Sequence, residues 1–373
     1  MKRNINEVLI NLLSFAVGSR KFCESDFLDM NDDDWKSLYR LSCKQGVAAI
    51  VFNAIVSAGS DKVMISSALK YQWISKTLMT EKYINNLTTV SDDVATVLGG
   101  NELSMLVLKG VSYGLYYDNP SHREFGDLDC YVGRLKDGGY EWGSSYSESN
   151  NILASKGAVI YDRDYKHSHL HFRDINIENH LYCLPVLNDA RLVELEAFLN
   201  TLLQTEGVRE IPGTSMLRPS ATFTAIFMIS HAFSHFLIEG IKLKHICDWI
   251  AFLKAEQNDV DWASAYIWYD KMGYKKFVDA LNHIARNHFM LSIESPILTF
   301  DERYSQMILD DCFRDTSVYN KRYTLLKSRI AKIRNIYNGR WKFKYLYGVT
   351  PSLYMVKLGI NYMRHGILIR KKR

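Results

Sequence analysis

Residues 102–132 read ELSMLVLKGVSYGLYYDNPSHREFGDLDCYV. The run Leu103–Lys109 is short and almost continuously apolar, which predicts a strand buried on both faces. Gly110 breaks it. VSYGLYYD predicts a short helix, stopped by Asn119-Pro120, because the residue before a proline disfavours helical geometry. SHREFG reads as a loop and DLDCYV as a second strand. Asp127 and Asp129 are two residues apart, so in a strand both side chains share one face while Leu128 and Cys130 point into a core. Two acids at the head of an apolar strand must be solvated, paired or bound to a cation, since burying them alone is costly. Beside a basic, glycine-containing turn, such a pair suits Mg²⁺ held against a polyphosphate.

Working outward, residues 1–98 read as an N-terminal helical region. DDDWKSLYRLSCKQGVAAIVFNAIVSAG opens with acidic capping residues and ends on a glycine, as a helix does. Residues 99–190 hold the strands: AVIYDRD, HSHLHFRD and INIENHLYCL, with a helix expected over 143–156. HSHLHFRD and INIENHLYCL alternate clearly, as neighbours in an antiparallel pair do. Alternation also puts Asn176, Glu178 and His180 on one face of their strand, making Glu178 a third acid. Three carboxylates from two adjacent strands can bind two Mg²⁺ ions, which clamp the attacking and leaving oxygens of a phosphoryl or nucleotidyl transfer. Residues 191–315 read as a helical domain, with Arg218-Pro219-Ser220 as the turn leading into ATFTAIFMISHAFSHFLIEG. Residues 316–373 form a tail. The fold class expected is α+β: a small mixed sheet flanked by an N-terminal helical region and a C-terminal helical domain.

LKGVSYGLYYDNPSHREFGDLDCYV resembles the signature of the uncharacterised bacterial nucleotidyltransferase family of the polymerase-beta-like superfamily. That signature is an apolar strand ending Leu-Lys-Gly, a helix, an arginine, then Gly-Asp-apolar-Asp. INIENHLY is similar to the family's strand with an acid two residues before a histidine. FMISHAFSHF and LKHICDWIAFL resemble its helical histidine region and the Asp-containing helix after it. The resemblance spans roughly residues 30–290. It implies an NTP donor and Mg²⁺, with Asp127 and Asp129 as metal acids, Glu178 as the third carboxylate and Gly110 at the nucleotide-phosphate turn. The wider superfamily carries Gly-Gly or Gly-Ser at that turn. Here Val111 follows Gly110 and the serine comes at Ser112, so Lys109 is the alternative phosphate contact, as a point charge. Arg123 reaches a β- or γ-phosphate on this reading, or else pairs with Asp127 or Glu124.

Other readings compete. GVSYG matches GxSxG and would make Ser112 a hydrolase nucleophile, but the helical 1–98 lacks the βαβ units that site needs. His167, His169 and His171 alternate on one strand face and could hold Zn²⁺, or form a half-exposed edge. His167 or His180 could instead support Glu178. His231 and His235 have zinc-like i, i+4 spacing without the HExxH glutamate, which favours packing. Asp248, on an apolar helix, either meets substrate or holds His245.

Charge divides the chain. Residues 316–373 carry 15 Lys+Arg and no Asp or Glu, leaving the first 315 with a net charge of −10. Interleaved with Tyr337, Trp341, Phe343, Tyr345 and Tyr347, these cations suit a solvated helical face, an RNA surface or an anionic membrane surface, with GILIRKKR favouring lipid. A non-catalytic protein that binds RNA or a membrane on this fold is therefore the rival to an enzyme. Six scattered cysteines without a CxxC pair read as reduced thiols, placing the protein in the cytoplasm, with peripheral membrane contact if the tail binds lipid. MKRNINEVLINLLSFAVG has helical apolar spacing, so an amphipathic helix is expected rather than a signal peptide. No run of ~18 apolar residues stands out as a span. A sugar, a lipid-linked precursor, a small metabolite, a protein side chain and an RNA end all remain open as acceptors.

Overall fold

The computed structural model describes residues 4–27, 30–59, 64–136, 139–186, 189–294, 302–314, 325–357 and 359–360. The N-terminal region is helical, as expected: α1 (Ile5–Ala16), α2 (Asp32–Gln45), α3 (Ala48–Ser57) and the long α4 (Ser67–Gly99). Helix α2 starts on a capping box. Asn31 accepts from the backbone of Asp33 and Asp34, and Asp34 accepts in return from the Asn31 N–H. It ends on Gly46 at φ 70°, a left-handed C-cap. Helix α1 buries Val8, Leu9, Leu12 and Leu13 on one face. Each such side chain stabilises by about 1.5–3 kcal/mol.

The sheet then begins with β1 (Ser104–Val107), the one-turn α5 (Val111–Gly114), β2 (Asp127–Lys136) and β3 (Gly139–Trp142). Helix α6 (Tyr146–Ser155) leads to β4 (Val159–Arg163), β5 (His167–Phe172) and β6 (Ile175–His180). β2 runs on past residue 132 to Lys136 and pairs antiparallel with β3. After α7 (Ala190–Thr205) come two short strands, β7 (Val208–Glu210) and β8 (Leu217–Pro219). The expected turn at Arg218-Pro219 is instead the short strand β8, inside the sheet between β1 and β7. Leu217 pairs parallel to Leu106, and Ser220 caps the following helix. Proline tolerates that position because it ends the strand.

Strand order is β4-β5-β6-β2-β1-β8-β7, with β3 paired to β2. The sheet is mixed. β5/β6 and β1/β2 are antiparallel, whereas β2/β6 and β1/β8 are parallel. HSHLHFRD and INIENH pair antiparallel, as their alternation predicts. One face is apolar. Leu128, Cys130, Val132, Leu170, Ile175 and Ile177 pack there with Leu87, Val94 and Leu98 of α4 and Leu153 of α6. The opposite face carries the acids.

The remaining helices are α8 (Ala221–Ile238), α9 (Leu243–Glu256), α10 (Trp262–Met272), α11 (Lys275–Asn287), α12 (Glu302–Phe313) and α13 (Leu325–Asn338). Together with α1–α3 they build the larger core, around Trp35, Trp73, Phe223, Phe233, Phe236, Trp249 and Phe252. Helix α8 is the one described helix with the length and hydropathy of a membrane span, but 78% of it is buried inside the protein. The expected basic tail is partly core. Lys342 is 1% exposed, donates to Asp311 Oδ2 (2.5 Å) and to the Phe236 carbonyl (2.8 Å), and Phe343 and Leu346 are buried beside it. GILIRKKR lies outside the described residues.

Candidate active site

Strand β2 enters the sheet with its two acids first. Leu108, just past β1, donates its N–H to the Asp129 carbonyl (3.0 Å), so the Lys109-Gly110 turn is tied directly to the acid strand. Gly110 has φ 72°, and a Cβ there would stand 3.0 Å from the Phe125 ring. Only glycine fits a turn that is both left-handed and this close to its neighbour. Strand β6 runs parallel to β2, with Asp127 opposite Asn176 and Asp129 opposite Glu178. Strand β5 extends the same row, placing His169 opposite Glu178 and His167 opposite His180.

Asp127, Asp129 and Glu178 each offer a carboxylate oxygen, and the three lie within 4.8 Å of one another. Asp129 is 1% exposed. Its Oδ1 faces His180 Nε2 (3.2 Å); its Oδ2 has no partner of hydrogen-bond geometry and faces the Lys109 ammonium at 2.9 Å. Lys109 is also 3.9 Å from Asp127 Oδ1. Burial opposes the Asp129 charge, but Lys109 and then His180 outweigh it and hold the carboxyl well below the usual range. Burial likewise opposes the Lys109 charge, and Asp129 and Asp127 outweigh that and raise its pKa. Asp127 differs: burial, and then the neighbouring Asp129 charge, push its pKa up. The cluster is therefore short of positive charge at its outer acid. An all-oxygen set with one buried, ionised carboxylate fits a hard dication such as Mg²⁺.

Beside the acids lies a cleft between the sheet and helices α8 and α9, lined among others by Lys109, Gly110, Arg123, His231, Lys244 and Asp248. Arg123 sits within this wall but pairs with neither Asp127 nor Glu124. Its Nε donates to Asp248 Oδ1 (3.0 Å) and its NH2 to Oδ2 (2.8 Å), and Tyr117 OH also donates to Oδ1 (2.8 Å). This bidentate pair locks the arginine loop and α5 to α9, and Asp248 serves it rather than His245. His245 Nδ1 accepts from the Lys242 N–H (3.0 Å). Burial, and then Lys244, push the His245 pKa well down; for His231 the causes are burial and then Lys109. Both imidazoles line the cleft neutral.

Lys244 has no carboxylate within 4 Å among the described residues. Burial and the nearby Arg123 charge lower its pKa to about 8. Its stem crosses Gly46, where a Cβ would meet Lys244 Cδ at 3.1 Å. Gln45 of the same turn accepts from the Leu243 N–H (2.9 Å) at the start of α9. The N-terminal helices thus hold the segment that presents Lys244. Lys166, just before β5, is likewise without a carboxylate partner among the described residues, and burial lowers its pKa next to the opposing charge of Asp129. Neither lysine stands out in the sequence. Lys244 opens an ordinary amphipathic helix, and only its position before Asp248 hints at it.

Ser112 lies 3% exposed in α5, and among the described residues no imidazole hydrogen-bonds to it, so the nucleophile–base pair of a hydrolase is not assembled. The alternating histidines divide. His171 pairs with Asn176 Oδ1 (3.2 Å), while His167 and His169 turn toward Asp164 and Glu178. His231 and His235 meet edge to face with ring centroids 4.6 Å apart, and His235 pairs with Glu239 (3.0 Å), a packed arrangement.

A family model described as "Uncharacterised nucleotidyltransferase" matches residues 31–290, more than half of the chain. No curated protein and no solved structure matches it.

Proposed function

Since the chain belongs to the uncharacterised nucleotidyltransferase family and is an enzyme of nucleotidyl transfer from an NTP, we propose that it is Mg²⁺-dependent and of the polymerase-beta-like type. On this reading the α-phosphorus of the NTP is attacked by an acceptor oxygen, which loses its proton. The bond from the α-phosphorus to the bridging oxygen breaks, and pyrophosphate leaves. The observation that carries the proposal is the junction of two unlike surfaces: three clustered carboxylates, and next to them a cleft where Lys244 has no carboxylate within 4 Å among the described residues.

The chain's own residues divide the work. Asp127, Asp129 and Glu178 would hold the metal, one ion or two. Bound Mg²⁺ supplies charge neutralisation for the triphosphate and lowers the pKa of the acceptor hydroxyl. Lys109 spans the acids and the cleft, so its ammonium would be placed to serve either Asp129 or a phosphate oxygen. Lys244 offers a charge to the β- and γ-phosphates, which become the leaving pyrophosphate. Arg123 keeps Nε and NH2 on Asp248, so it contributes to the cleft mainly by fixing its wall. The Gly110 turn brings backbone close to the phosphates without a side chain in the way. Glu178 accepts the acceptor proton, at the rim where its face of the sheet is partly open.

The test is pyrophosphate release with mixed NTPs and candidate acceptors: sugars, lipid-linked precursors, metabolites, proteins and RNA ends. Mg²⁺-dependent release that disappears in Asp129→Asn supports the proposal. Release that is independent of both Mg²⁺ and the acids would sink it.

A further inference from the structure

We infer that Asp164, His167 and His169 form a binding site for a first-row transition-metal dication, next to the carboxylate cluster but distinct from it. The three offer ligand atoms all within 4.8 Å of one another. Asp164 lies in the turn between β4 and β5. Its Oδ1 accepts the N–H groups of Lys166 (2.6 Å) and His167 (2.8 Å), which fixes the carboxylate and leaves Oδ2 turned to His167 Nε2 at 3.6 Å. His167 and His169 are two apart on β5, so both project from the same face. Their Nε2 atoms meet at 3.1 Å with the rings almost perpendicular, at 88°.

Two nitrogens pointed at each other can make at most one hydrogen bond, and only with one ring in the opposite tautomer. A shared cation uses both lone pairs. Ligand atoms each roughly 2.0–2.2 Å from one cation lie about 3–3.6 Å apart, and His167 Nε2 stands at 3.1 Å from His169 Nε2 and 3.6 Å from Asp164 Oδ2. The rings are also held in place. Tyr161 stacks on His169 at 5.8 Å, and His180 lies against His167 at 4.9 Å. Glu178 closes the far side, with Oε1 3.6 Å from His169 Nδ1 and Oε2 3.8 Å from His167 Nε2.

Donor chemistry separates the two sites. The Asp127, Asp129 and Glu178 set is all oxygen and suits Mg²⁺. Two imidazoles and a carboxylate suit Zn²⁺, Co²⁺ or Mn²⁺, and a hard ion that keeps its waters gains little from nitrogen. A dication on the histidines lies within reach of Glu178, so its presence would fix the third carboxylate in one orientation. The inference does not depend on nucleotidyl transfer; its three ligands come from the β4–β5 hairpin, with Glu178 and His180 of β6 packed against them.

The experiment uses the full chain, stripped with chelator, dialysed, and titrated with Co²⁺ and Zn²⁺ in the presence of millimolar Mg²⁺. Expected are one tightly held equivalent, visible d–d absorption from nitrogen-bound Co²⁺, and retention of both in Asp127→Asn. The His167→Ala/His169→Ala pair should weaken Zn²⁺ binding by roughly 100-fold or more. Should that pair fail to fold, His169→Gln, at a partly exposed position, gives the same comparison. Absence of a Co²⁺ band in the wild-type protein overturns the site. So does an ion that Mg²⁺ displaces or that Asp127→Asn loses, since it then belongs to the carboxylates. Unchanged Zn²⁺ affinity in the histidine variants overturns it as well.

Discussion

Asp129 and Glu178 are register partners across the parallel strands β2 and β6, with 48 residues of chain between them. Parallel neighbours need a long crossover, and here α6 with β4 and β5 supplies it. The crossover also returns His167 and His169 to the edge of the same row. A two-acid motif thereby becomes a three-acid site with imidazoles on its flank.

Asp129 and Lys109 form a buried pair, and removing one partner strands the other. Asp129→Ala is expected to destabilise the metal-free protein by about 3 kcal/mol, while the double replacement Lys109→Met/Asp129→Leu recovers most of the loss. Urea unfolding of the three variants checks this. Equal stability of wild type and Asp129→Ala would contradict the pairing.

Lys244 is predicted to act in the opposite sense on stability and on binding. Its folded pKa, about 8, lies below the 10.5 of a free lysine. Between these values the unfolded chain binds the extra proton, so this residue makes stability rise with pH from about 8 upward and costs stability below. Lys244→Met should therefore stabilise the free protein at pH 7, by the order of 2 kcal/mol, and should remove that rise. The same variant should weaken binding of an NTP analogue by roughly 10- to 100-fold, the worth of a charged contact. Thermal melts across pH 6–10, paired with analogue titrations, would show both effects or neither.

Arg123 and Asp248 test the wall of the cleft. Either one changed to Ala leaves a buried charge alone, at a cost of about 3–5 kcal/mol. Arg123→Lys should not restore stability, because an ammonium cannot reproduce the two parallel bonds to Asp248. A lysine variant as stable as the wild type would show that the fork geometry is unimportant.

Gly110→Ala places a Cβ 3.0 Å from Phe125 in a left-handed turn. The strain is expected to cost about 1–3 kcal/mol and to lower nucleotide affinity by shifting Lys109. Unfolding and binding of the same preparation separate the two effects. A variant with wild-type values in both would remove the turn from the site.

Much of this geometry is legible in the sequence because strands repeat every two residues. That period places Asp127 with Asp129, aligns Glu178 with His180, and pairs the β5 and β6 segments before any coordinates exist. Other features lack a local signal. Leu217–Pro219 is three residues long and contains a proline, so its place in the sheet comes from Leu106, more than a hundred residues earlier. The partner of Arg123 is equally remote, although a lone arginine in a loop and a lone aspartate on an apolar helix each call for a counter-charge. Lys342 alternates with aromatics like a surface cation, yet it is buried because Asp311 and the Phe236 carbonyl receive it. In each case tertiary contact, not local pattern, decides the outcome.

Calorimetric titration of the full chain with a non-hydrolysable NTP analogue, with and without Mg²⁺, tests the central claim most directly. Binding that requires Mg²⁺ in the wild type and vanishes in Asp127→Ala, with the fold retained by circular dichroism, is the predicted result. Unchanged binding in Asp127→Ala, or binding indifferent to Mg²⁺, would contradict the assignment of these acids.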